Sequence, residues 1–145
     1  MAIIWTQDLN TGIDIIDKQH VQIVDYINQL DGERDRKAIG SILENLIDYT
    51  LSHFSFEESL AEDAGYKLLN PHKKVHEMFI QKVNEYKHRF DSGEEVADEI
   101  EKLLTSWLVN HIKRDDADYA PTVKAHLSGQ NKGGWLARSL KKFFG

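Results

Sequence analysis

The 145-residue chain contains no cysteine. Disulfides, thiolate zinc sites and iron–sulfur clusters are therefore excluded, and the strong metal ligands left are imidazole nitrogen and carboxylate oxygen. The chain also lacks any apolar run of membrane-spanning length. Its first residues, MAIIWTQDLN, have neither a basic region nor a hydrophobic stretch long enough for a secretory signal. Together these absences predict a soluble, cytoplasmic protein. Acidic side chains are missing from the last 22 positions, so residues 124–145 carry +5 while residues 1–123 carry −11. An acidic body argues against nucleic acid as a partner, because phosphate binding needs a basic footprint. No internal repeat, phosphate-binding loop or nucleophile motif is present.

What the sequence does contain is apolar residues at helical spacing. Ile16, His20, Ile23, Ile27 and Leu30 recur at steps of three and four. So do Leu43, Leu46, Thr50, His53, Glu57, Leu60 and Ala64, then His72, His76, Phe79, Val83, Tyr86 and Phe90, then Ile100, Leu104, Trp107 and His111. Asp31-Gly32, Gly65 and Gly93 punctuate these stripes. Asn70 followed by Pro71 reads as a helix cap and first turn, and Ser92 with Glu95 as a capping box. The pattern predicts an all-α protein, an antiparallel up-and-down four-helix bundle, followed by a short segment with Pro121, a polar linker and a C-terminal amphipathic helical extension. The expected division is a four-helix domain over 1–123 and a basic extension over 124–145.

Five of the seven histidines lie on the apolar stripes with two carboxylates. His53 with Glu57 and His72 with His76 are spaced i, i+4, so each pair puts two donor atoms on one side of its helix. A buried imidazole loses hydration and needs a partner, and five of them exceed what one metal ion uses. The set points to a two-metal centre. One spacing breaks the helical rule: Asp115 is four residues after His111 and shares its face, whereas Asp116 is five residues on and rotated away at roughly 100° per residue. Geometry alone leaves both open. The Glu85-x-x-His88 pair resembles a di-iron carboxylate motif, but it points away from His72 and reads as solvent-exposed, as does His126.

The residues His20, His53-Ser-Phe-Ser-Glu57, His72-Lys-Lys-Val-His76 and His111-Ile-Lys-Arg-Asp-Asp116 resemble the hemerythrin family in its bacterial single-domain form. Trp5, Gly12, Ile13, Asp17, Gly65-Tyr66 and Tyr119 also look like the family, and the resemblance spans residues 5 to about 123. It implies two iron ions per chain with an oxo or hydroxo bridge. One iron would be held by His72, His76 and His111 and the other by His20 and His53, with Glu57 and Asp116 bridging. Asp116 rather than Asp115 then requires the fourth helix to loosen or end near Lys113. One position stays open on the second iron, where dioxygen would bind in a dry pocket expected to include Ile23, Phe54, Trp107, Leu108 and Ile112.

The resemblance makes reversible dioxygen binding for storage, delivery or sensing the leading expectation, without turnover of a substrate. Two other readings use the same ligands: a di-iron oxidase or peroxide- or nitric-oxide-processing enzyme, and a signalling module acting through a partner. Five imidazoles against two carboxylates weigh against the oxidase, since high-valent iron is better supported by anionic ligands. In the tail, Leu136, Leu140, Phe143 and Phe144 share one helical face and Arg138, Lys141 and Lys142 the other. Such a segment suits docking on the acidic bundle, a protein partner's groove or, less well, a membrane surface.

Overall fold

A computed structural model describes residues 4–128, 138 and 140–144, and all regular structure among them is helical. The helices are α1 (Asp14–Leu30), α2 (Arg36–Asp63), α3 (Leu69–Asp91), α4 (Ala97–His111) and α5 (Ala117–Ser128), with a short 3-10 turn at Gln7–Leu9. Helices α1 to α4 make the expected four-helix bundle. None of the described helices is long and apolar enough to cross a membrane.

Glycine sets the reversals. Gly65 and Gly93 have φ of +74° and +105°, a conformation that side chains rarely adopt. At the end of α2 the amide of Tyr66 reaches back to the Ala61 carbonyl at 3.0 Å, and at the end of α3 that of Glu94 reaches Arg89 at 3.1 Å. Both helices thus stop on a left-handed residue that satisfies their last carbonyls.

Two expected caps are corrected. Asn70 lies inside α3, which begins at Leu69 without a side-chain cap. Ser92 does not open α4 but closes α3, its hydroxyl donating to the His88 carbonyl at 3.0 Å. Both serine partners were available in the sequence, and the preceding helix end took the hydroxyl.

After α4 the helix loosens near Lys113, as expected, and does not end there: residues Ile112–Asp116 form one π-helical turn, with the Ala117 amide bonded to the Ile112 carbonyl, and α5 continues from it. Pro121 sits inside α5, which runs past residue 123 to Ser128. A π turn adds one residue to the helical circuit, so the side chain at i+5 returns to the face of residue i.

The buried side chains fall into two apolar clusters with a polar layer between them. The larger includes Ile23, Ile27, Leu30, Leu43, Leu46, Phe79, Ile100, Leu104 and Leu108. The smaller is built on Ile13, Ile16, Phe56, Leu60, Tyr119 and Val123. Along α1 the order is small cluster, His20, large cluster; along α2 it is reversed, as expected for antiparallel neighbours.

Candidate metal centre

All seven expected ligands are buried in the layer between the clusters: His20, His53, Glu57, His72, His76, His111 and Asp116 are each 5% exposed or less. Their donor atoms form two groups. Atoms of Glu57, His72, His76, His111 and Asp116 all lie within 4.8 Å of one another, and so do atoms of His20, His53 and Glu57.

Each carboxylate faces both groups. Glu57 Oε1 is 2.6 Å from His72 Nε2 and 3.3 Å from His76 Nε2, while its Oε2 is 3.2 Å from His53 Nε2 and 3.9 Å from His20 Nε2. Asp116 Oδ1 is 3.1 Å from His111 Nε2 and 3.3 Å from His72 Nε2, while its Oδ2 is 3.1 Å from His20 Nε2. The π turn aims Asp116 inward. Asp115, the competitor at regular spacing, instead accepts from His111 Nδ1 at 2.8 Å, outside the layer.

That hydrogen bond belongs to a set that sequence reasoning missed. His76 Nδ1 donates to Glu58 Oε2 at 2.8 Å, and His53 Nδ1 to Gln19 Oε1 at 2.7 Å. With Nδ1 committed as donor, the Nε2 of each ring is left as a lone pair pointing inward. Gln19, Glu58 and Asp115 adjoin His20, Glu57 and Asp116 in the chain. Adjacency to an inward acid or histidine was the available signal.

Aromatic rings fix the imidazoles from the side. Phe54 stacks on His76 at 3.8 Å between centroids, and Trp107 on His111 at 4.3 Å. An N-terminal strap closes the layer near His20. Asp17 accepts from the Thr11 amide and hydroxyl at 2.7 and 2.8 Å and from the Gly12 amide at 3.1 Å, and the Trp5 ring lies 6.3 Å from that of His20. Asp17 thus anchors this segment through Thr11 and Gly12, and Trp5, bonded to Asn10 at 2.9 Å, lies beside His20.

The layer's electrostatics are unbalanced without a cation. Glu57 Oε2, both Asp116 oxygens and both His20 nitrogens make no hydrogen bond among the described residues. His76 Nε2 and His111 Nε2 face each other at 3.1 Å, although Nδ1 of both rings is already the donor to a carboxylate. Two lone pairs at that distance repel unless a positive charge lies beside them. Burial alone would raise Glu57, but the neighbouring His53, His72 and His76 hold it well below the usual carboxylate range. Burial and the Glu57 charge push Asp116 up, and His111 and His20 outweigh them and hold it low as well. Burial pushes His53 down, whereas His72 rises to about 10 because Asp116 and Glu57 outweigh its burial. Buried carboxylate oxygens without hydrogen bonds, beside clustered imidazole nitrogens in a sulfur-free layer, fit bound metal ions such as iron.

Beside the His20 and His53 group is a small cavity of about 10 Å³, lined by Ile23, Ile27, Thr50, Phe54, Phe79, Leu104, Trp107 and Leu108 and by His20, His53 and His111. Four of the five expected pocket residues line it. Ile112 does not line it, although it is buried in the same large apolar cluster. The Glu85 and His88 decoys are exposed. His126 is part-exposed at the surface, where it pairs with Asp63 at 3.0 Å.

A family model, the hemerythrin HHE cation binding domain, matches residues 11–123. The chain belongs to the hemerythrin family. It is 51% identical to a bacteriohemerythrin of Pseudomonas aeruginosa over 150 aligned positions, covering 99% of this chain and 98% of that one. Bacteriohemerythrins of Stenotrophomonas maltophilia and Methylococcus capsulatus are 48% and 33% identical, over 99% and 83% of this chain and 98% and 96% of theirs. A crystal structure of wild-type hemerythrin superposes with a TM-score of 0.80 at 32% identity, covering 85% of this chain and 98% of that one.

Proposed function

We propose that this hemerythrin binds dioxygen reversibly at a non-haem di-iron centre, for oxygen storage, delivery or sensing. The carrying observation is the buried layer in which Glu57 and Asp116 each turn one oxygen toward His72, His76 and His111 or part of that set, and the other toward His20 or His53. His72, His76 and His111 would hold one iron, His20 and His53 the other, and the two carboxylates would bridge them along with an oxo or hydroxo group. Iron held there would supply the two-electron redox chemistry that reversible dioxygen binding needs.

The chain's own contribution is positioning and dryness. Gln19, Glu58 and Asp115 fix three imidazoles with Nε2 inward, and Phe54 and Trp107 stack against two of the rings. The apolar lining of the 10 Å³ cavity has room for about one water-sized molecule. That size suits a diatomic ligand and leaves no space for an organic substrate, which favours a carrier over an oxidase. The same lining keeps out the bulk water and protons that would make oxygen uptake irreversible. Cytoplasmic residence and the division at residue 123 remain part of this reading, with the extension acting as a cover for the small cluster.

Anaerobic reduction of the iron-loaded chain, then exposure to oxygen and its removal, tests the proposal by absorption and resonance Raman spectroscopy. Peroxide-type signals that appear with oxygen and vanish on its removal are expected. A single irreversible oxidation, or consumption of an added reductant through repeated cycles, would place the chain among oxidases instead.

A further inference from the structure

Resting on the di-iron reading, we propose that Gln19, Glu58 and Asp115 make the two metal positions electronically unequal, so that the position backed by carboxylates is oxidised first. The observation is an asymmetry in what stands behind the imidazoles. In the three-histidine group, His76 donates to the Glu58 carboxylate at 2.8 Å and His111 to the Asp115 carboxylate at 2.8 Å. In the two-histidine group, His53 donates to a neutral amide, Gln19 Oε1 at 2.7 Å, and His20 Nδ1 makes no hydrogen bond among the described residues.

The chemistry follows from charge. A carboxylate accepting the Nδ1 proton draws it away from the ring and pushes electron density toward Nε2, making the imidazole a stronger donor. An amide oxygen carries no net charge and does this weakly. Stronger donors favour the ferric ion over the ferrous one, so the His72, His76 and His111 position has the lower reduction potential. The amide-backed position keeps its ferrous ion longer, and both of its imidazoles line the cavity, which His111 of the other position also reaches. The bonds are shielded, since the Glu58 and Asp115 side chains are only 24% and 33% exposed and Gln19 only 3%. Screening by water therefore reduces the difference without removing it.

These are positioning residues, and a potential separates their electronic effect from a purely structural one. The full chain and its Glu58→Gln, Asp115→Asn and Gln19→Glu variants are loaded anaerobically with ferrous iron-57 and oxidised stepwise, with iron counted by Mössbauer spectroscopy and potentials read by titration. Wild type should show two separate one-electron steps. Glu58→Gln and Asp115→Asn should raise the first potential and weaken retention of one iron by about 10–100-fold, leaving the second step in place. Gln19→Glu should do the opposite at the other position, lowering the second potential and bringing the two steps together. Because Gln19→Glu adds a charge at equal size, it tests the inference even where the other variants fold poorly.

Equal shifts of both steps in every variant, or an order in which Gln19→Glu moves the first step and Glu58→Gln the second, would overturn the inference while leaving the di-iron centre intact. A wild-type chain that holds fewer than two irons overturns the di-iron reading itself, and the inference with it.

Discussion

The large apolar cluster and the polar layer beneath it are built on the same four helices but are stable for different reasons. Around Leu30, Leu43 and Ile100, each 1% exposed or less, side chains bury hydrocarbon and need no partner beyond one another. In the layer, five imidazoles and two carboxylates are buried as completely, and several of their polar atoms make no hydrogen bond among the described residues. Burial stabilises the first region and strains the second until a cation enters. This bundle has ample apolar core to fold around a layer that would be costly by itself, and a bound metal would convert that layer from a liability into a clamp on all four helices.

The sharpest way to break the contrast is to remove a shared carboxylate. Glu57→Ala or Asp116→Ala should abolish retention of at least one iron and lower the melting temperature of the iron-loaded chain, because each leaves imidazoles of both groups without their common anion. Iron content by plasma emission spectroscopy and a thermal melt check both effects. In the apolar half, Leu43→Ala should cost about 2–5 kcal/mol by denaturant unfolding while leaving iron content unchanged.

A pH series on the metal-free chain sharpens the comparison, since only the layer titrates. His72 is raised from 6.5 to about 10, so its stabilising contribution is complete below pH 6.5 and is lost as pH rises toward 10. His53 is depressed below 6.5, and Glu57 and Asp116 below the carboxylate range, so their contributions are lost as pH falls. The melting temperature should therefore peak at about pH 6–7 and fall on both sides. Iron must displace the His72 proton, so loading at pH 8 should release acid, measurable in weak buffer. A flat profile would mean that the layer is not strained in the way its contacts imply.

The smallest effect belongs to the tail. Leu140, Phe143 and Phe144 pack against the small cluster, with Phe144 5.3 Å from Tyr49 and 6.0 Å from Phe56 between ring centroids. Docking on the bundle is thus the arrangement seen, with Leu136 outside the described residues. Replacing Phe143 and Phe144 by alanine should cost on the order of 1–2 kcal/mol, since both rings are only part-buried. The oxygen spectrum should be unchanged, which a melt and an absorption scan on the same sample would establish.

Much of this was legible in the sequence because helical stripes and ligand spacing report the same geometry. His20, His53, Glu57, His72 and His76 sit at positions where a regular helix already points them inward. Asp116 was legible only as an anomaly, a five-residue step that makes sense once one turn is π-helical. Gln19 and Glu58 escaped notice because a polar residue beside a buried one ordinarily faces water, and Asp115 was weighed only as a rival ligand to Asp116; the packed structure shows each reaching an imidazole. The cap at Ser92 was misread for a related reason. A short polar side chain can serve either of two nearby helix ends, and local sequence does not say which.

The central claim is that the polar layer exists to hold two metal ions. Counting iron per folded chain after anaerobic loading and removal of excess metal, then repeating the melt after chelation, tests it most directly. Two irons per chain are expected, and chelation should lower the melting temperature markedly while the helices persist at lower temperature. One iron or none, or a melting temperature indifferent to chelation, would contradict it.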